Sequence, residues 1–105
     1  MATNRLDILK QMLEQDPKNT FARYGLAMEF AKSGDLDQAV AEFHSLIATD
    51  ENYAAAYFHA GQALEKSGKL EEARAVYEKG IEVTTRKGDL HTRSEIEGAL
   101  NLLPI

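Results

Sequence analysis

The chain has 105 residues, with 12 Lys and Arg against 17 Asp and Glu, 44% apolar and 28% charged, which is the composition of one soluble globular domain. Its net charge of −5 opposes nucleic acid or an anionic membrane as partner, since both need a concentrated positive field, and the absence of cysteine removes disulfides, cysteine zinc sites and thiol catalysis. No charge-free stretch approaches the ~20 residues of a bilayer span, and Met1-Ala2-Thr3-Asn4-Arg5 leads into an amphipathic rather than a signal-like segment, so a cytoplasmic location is expected.

Residues 4–16 read as a helix carrying Leu6, Ile8, Leu9, Met12 and Leu13, closed by Asp16-Pro17-Lys18-Asn19. In the next segment Leu26-Ala27-Phe30 steps by three and four, the spacing of one helix face. It stops at Gly34, because glycine accepts the left-handed conformation of a helix C-terminus without steric cost. Asp35 offers an N-terminal carboxylate to the following helix, where Ala39-Val40-Phe43-Leu46-Ile47 resumes the pattern until Asp50-Glu51-Asn52. A second pair follows, with Gly68 as its turn. A last helix is expected from about Asp89 to Leu102.

These elements repeat. Ser33-Gly34 recurs as Ser67-Gly68, Leu36 as Leu70, Ala39 as Ala73, Phe43 as Tyr77 and Ile47 as Ile81, each pair 34 residues apart. Before the turn the same offset joins Tyr24 to Phe58, Ala27 to Gly61, Phe30 to Leu64 and Lys32 to Lys66. Extended backwards, it places Leu9, Leu13 and Asp16 before Phe43, Ile47 and Asp50. The chain 1–105 is thus read as a single domain: a half repeat at 4–16, repeats at 20–53 and 54–87, and a capping helix at 88–103.

Ala27 and Gly61 answer Ala39 and Ala73 as small places where two helix axes approach to roughly 8–10 Å. Arg5 takes that place in the half repeat, which fits a helix with no partner before it. In the last helix, counting 34 from Gly61 puts Glu95 at the small place, whereas Ile96, Ala99, Leu100 and Leu103 reproduce a first helix displaced by five residues. Arg93, Ser94, Glu95 and Glu97 are then solvated, as befits a cap with a polar outer face.

At these residues the sequence resembles the tetratricopeptide repeat, whose 34-residue helix-turn-helix carries W-x2-L-G-x2-Y, then A-x3-F, then P. Tyr57, Ala60, Gly61, Leu64, Ala73 and Tyr77 fit that pattern, as do Leu26, Ala27, Phe30, Ala39 and Phe43, while Arg23 replaces the aromatic and Glu51 the proline. The resemblance covers residues 4–87, extends to short stand-alone bacterial proteins that finish with one extra helix, and implies an all-α right-handed solenoid of six helices.

Catalysis finds little material. A chain this short buries about 60–65% of its unfolded surface, which leaves little for an enclosed pocket. His44, His59 and His91 are dispersed, and only His91 and Glu95 share an i, i+4 spacing, which reads as an exposed polar pair. Residues 61–69 have the wrong spacing for a phosphate loop, with Leu70 in place of its Ser or Thr, and no Gly-x-Ser-x-Gly is present. Glu71-Glu72 and Glu95-Glu97 read as solvated faces. No enzyme activity, metal or cofactor is expected.

The resemblance implies that the first helices of successive repeats line a concave side and bind a protein or peptide there. Carried onto this chain, that side receives Phe21, Tyr24, Met28 and Lys32, then Phe58, His59, Gln62 and Glu65, then Arg93 or Ile96 according to register. Phe21, Tyr24 and Met28 form a second apolar stripe beside the core stripe, and either bind a partner or, for Phe21 and Tyr24, fold over the helix end to compensate for Arg23. A carboxylate clamp of the kind some relatives use is not expected, because its places hold Tyr24, Met28, His59 and Asp89, with only Arg93 in agreement. The alternative is a structural unit that pairs as a weak homodimer through residues 4–15.

Overall fold

The computed structural model describes residues 4–105, so the reading of Met1–Thr3 as unlike a signal segment lies outside the described residues. Six helices follow in order: α1 (Arg5–Gln15), α2 (Thr20–Ser33), α3 (Leu36–Thr49), α4 (Ala54–Lys66), α5 (Leu70–Lys87) and α6 (Leu90–Leu102). There is no strand among the described residues, and no described helix is long and apolar enough to cross a membrane.

The helix ends are set locally. Asn4 Oδ1 accepts from the amide of Asp7 at 2.8 Å, Asn19 Oδ1 from that of Ala22 at 3.0 Å, and Asp89 Oδ1 from that of Thr92 at 3.1 Å, each satisfying an orphan donor of a first turn. Asp35 departs from expectation. It holds the N-cap position of α3 without a capping bond, and its carboxylate instead accepts from Ser33 Oγ at 3.3 Å. At the turn before it, Gly34 takes φ +87°, and the amide of Asp35 closes on the carbonyl of Phe30 at 2.9 Å. The turn at Gly68 reproduces this, with φ +77° and Lys69 N on the carbonyl of Leu64 at 2.9 Å.

Each helix packs on its sequence neighbour, and α4 also touches α2 and α6, so α2, α4 and α6 form one row. The shortest dimension, 19 Å, admits two layers of helices of about 10 Å each. The small residues mediate the close approaches: Ala27, Ala39 and Ala73 are fully buried, and a Cβ on Gly61 would overlap the ring of Tyr77. One core cluster gathers Leu9, Ala27, Phe30, Phe43 and Leu46, the other Tyr57, Tyr77, Val83 and Ile96, with Ile47 and Val76 touching both.

The last pair breaks the period for a visible reason. At Asp16 and Asp50 the carboxylate turns back to accept the amide two residues on, at 3.1 Å in both cases, and α1 and α3 end there. The third equivalent place is Thr84, whose hydroxyl donates within the helix to the carbonyl of Gly80 at 2.8 Å, so α5 runs a further turn before Gly88. Arg86 and Lys87 in that turn reach back to the Asn52 side chain and carbonyl, both at 2.8 Å. In α6 Ile96 and Leu103 are buried and Ala99 and Leu100 half-buried, which is the displaced register. The outer face of α6 is less polar than expected of a cap: Leu102 is 84% exposed and Leu90 is exposed too, while Arg93 and Glu97 are half-buried and paired at 3.5 Å.

Candidate functional site

A cleft of about 240 Å³ opens between α2 and α4, lined by Met28, Ala31, Lys32, Leu36, His59, Gln62, Ala63 and Lys66. It follows from the repeat. Met28 and Lys32 lie one turn apart on α2, Gln62 and Lys66 one turn apart on α4, and each α4 residue is 34 positions after its α2 counterpart. Leu36, at the start of α3, comes in because the Gly34 turn brings that helix back alongside α2.

Aromatic rings fill the space beside the cleft. Phe43, fully buried on α3, supports two of them: Tyr24 stands edge-on at 6.4 Å between centroids, and His59 stacks at 6.3 Å and 16°. Tyr24 also meets Tyr53 at 5.3 Å and His59 at 5.8 Å, and Phe58 closes on His59 at 5.2 Å. Burial holds the His59 imidazolium pKa below its ordinary value of 6.5, with Glu95 of α6 acting weakly the other way. The Tyr24 hydroxyl is pushed up from 10.0, first by burial and then by Tyr53 and Glu95. Both groups are therefore neutral at pH 7.

Of the residues expected at a concave side, Met28, Lys32, His59 and Gln62 line the cleft, and Tyr24 borders it with its ring half-buried. Phe58 is half-buried and packs against the second core cluster. Phe21 stays apart at the start of α2, 65% exposed, so it does not fold over the helix end to compensate for Arg23. Arg23 is served instead by Glu42 of α3, at 2.6 Å. Glu65 accepts the Tyr77 hydroxyl, Arg93 is held by Glu97, and Ile96 lies in the core. Leu36 and Lys66 in the lining, Tyr53 against Tyr24, and Glu95 through its charge join the site although none was expected at the concave side for that role. Lys66 had a signal in its 34-residue spacing from Lys32, whereas nothing local marks Tyr53 or Glu95.

Catalytic chemistry has no comparable assembly. His91 Nε2 and Glu95 Oε1 are 3.7 Å apart on an exposed face, and no three His, Asp or Glu converge on a point among the described residues.

A family model described as tetratricopeptide repeat matches residues 24–85, more than half of the chain. The chain belongs to the tetratricopeptide repeat family. A TPR repeat-containing protein of Pseudomonas aeruginosa is 27% identical over 88 residues, 84% of either chain. The solution structure of a tetratricopeptide repeat domain protein from Salinibacter ruber matches with a TM-score of 0.78 at 34% identity, covering 85% of this chain and 90% of that one. The type III secretion translocator chaperone SycD of Yersinia enterocolitica is similar in fold, with a TM-score of 0.87 at 18% identity over 93% of this chain and 68% of its own. Tetratricopeptide repeats are protein–protein interaction modules, generally without enzyme activity, and the six-helix array here is that architecture.

Proposed function

We propose that this protein is a non-enzymatic binding module that takes a peptide or protein segment in the cleft between α2 and α4. The observation that carries the reading is the cleft itself: Met28, Leu36 and Ala63 offer it apolar surface, with half-buried His59 and Tyr24 beside it, on the row formed by α2, α4 and α6. A fully buried apolar side chain is worth about 1.5–3 kcal/mol, and side chains already half-covered have less surface left to bury. Set against association costs of at least ~4 kcal/mol, this favours micromolar or weaker affinity.

The test is capture from the native host after mild cross-linking, read by mass spectrometry. Gln62→Trp should fill the cleft without touching the core and abolish capture, whereas Ala75→Trp, on the exposed face of α5, should leave it intact. Equal capture by both variants overturns the reading.

A second reading, weak pairing of two copies through α1, is favoured by Ile8, a large apolar side chain left 46% exposed there.

A further inference from the structure

The cleft has a charge opposite to that of the chain. In a molecule of net charge −5, its rim carries Lys32 and Lys66 and no carboxylate lines it. Neither lysine pairs with an acid among the described residues, although Lys69 and Lys79 do so elsewhere on the surface. The nearby carboxylate of Glu65 is engaged by the Tyr77 hydroxyl.

Both lysines stand in the last turns of their helices, where a cation complements the carbonyl end of the dipole. That role does not use up their charge. Each helix end is equivalent to about −0.5 elementary charge, so two ends offset half of the two ammonium groups. Among the described residues the two ammonium groups are the only formal charges lining the cleft, over an apolar floor and with the Gln62 amide between.

We propose that the segment bound in this cleft is acidic: an apolar side chain entering between Met28 and Ala63, flanked by Asp or Glu side chains that meet Lys32 and Lys66. The proposal rests on the peptide-binding reading above. Side-chain carboxylates suit the rim better than a chain terminus, because two flexible lysines on separate helices act as point charges and make no rigid fork around one carboxylate.

The experiment is an NMR titration of the isotope-labelled protein at low salt, following the Met28 methyl, the His59 ring and the Gln62 side-chain amide. Three probes are hexapeptides blocked at both ends, with two central leucines flanked by two Asp or Glu on each side, by their Asn and Gln isosteres, or by Lys. A fourth is the Asn/Gln peptide with a free C-terminal carboxylate. The acidic peptide should bind about threefold to tenfold tighter than its blocked isostere, the sum of two exposed ion pairs, and the advantage should shrink as salt shortens the screening length. The lysine peptide should bind weakest. Lys32→Gln with Lys66→Gln should abolish the acidic preference, read as the ratio of the acidic to the isosteric affinity in the same variant, whereas Lys79→Gln, remote on α5, should preserve it.

Equal affinity for the acidic and blocked isosteric peptides overturns the proposal and leaves the peptide-binding reading standing. An isostere with a free carboxylate that binds as tightly as the acidic peptide overturns the assignment to side-chain carboxylates. If none of the four probes moves these resonances, the binding reading falls along with the proposal.

Discussion

Arg23 and Tyr57, at the same place in successive repeats, make the same bond with different chemistry. Arg23 Nη2 donates to the carbonyl of Pro17 at 3.1 Å, and Tyr57 Oη donates to the carbonyl of Glu51 at 2.6 Å, the two acceptors also being 34 residues apart. Arginine thus keeps the tie between a first helix and the loop before it, and its Nη1 donates to Glu42 Oε1 at 2.6 Å.

Arg23→Leu should remove both interactions, strand the half-buried Glu42 and cost about 1–3 kcal/mol. Arg23→Tyr should restore the loop tie in the form used by the second repeat and cost measurably less. Urea midpoints at unchanged m-value decide the matter. A tyrosine variant no more stable than the leucine variant would show that the loop bond contributes nothing.

Gly61 and Gly98 should respond oppositely to alanine. A Cβ on Gly61 overlaps the buried Tyr77 ring, whereas nothing lies within 4 Å of one on Gly98. Gly61→Ala should cost about 1–3 kcal/mol through overpacking even after the gain in helix propensity, and Gly98→Ala should gain about 0.5–1 kcal/mol. Tyr77→Leu in the Gly61→Ala background should cost less than Tyr77→Leu alone. Thermal melts of the five proteins test this, and strict additivity of the pair would refute the contact.

Stability should fall as the pH drops through the range in which an unperturbed histidine titrates. His59 is packed by Tyr24, Phe43 and Phe58, with Tyr53 behind Tyr24, Glu95 facing from α6, and Lys32 and Lys66 on the cleft rim. Burial lowers its folded pKa below 6.5, so just under that value the unfolded chain binds more protons than the folded one. The contribution is complete above the unfolded pKa and is lost as the pH falls toward the folded one. His59→Gln should flatten the stability profile between about pH 7 and 5, and an unchanged slope would assign the dependence to other groups.

Self-association, if α1 mediates it, should depend on Ile8. Leu9 is buried and Leu6 packs partly against the core, so a charge at either would damage the fold as well as an interface. Ile8→Glu spares the core. Sedimentation of the unmodified protein at high micromolar concentration should show a dimer fraction that this variant abolishes. A strictly monomeric parent removes the pairing reading.

The repeat, the helix pairing and the small contact residues were legible in the sequence because each expresses a local or strictly periodic requirement. Gly34 and Gly68 take positive φ, which side chains other than glycine rarely adopt, and Ala27, Gly61, Ala39 and Ala73 recur at one offset because the same two backbones must approach each time. The site was legible only in part. Phe21, Tyr24 and Met28 share a stripe by spacing, yet what separates an open Phe21 from a half-buried Tyr24 is the placement of Phe43, Tyr53 and His59, which arrive from α3, the loop after it and α4. Periodicity assigns a residue to a helix face, whereas the neighbour that covers it comes from another element. The sequence offered two registers for α6, and the burial of Ile96 and Leu103 decided between them, while the extra turn of α5 likewise belongs to the tertiary structure. Thr84 bonds within its own helix where Asp16 and Asp50 turn out of theirs, and Arg86 and Lys87 find acceptors on Asn52 only once α3 and α5 both pack on α4.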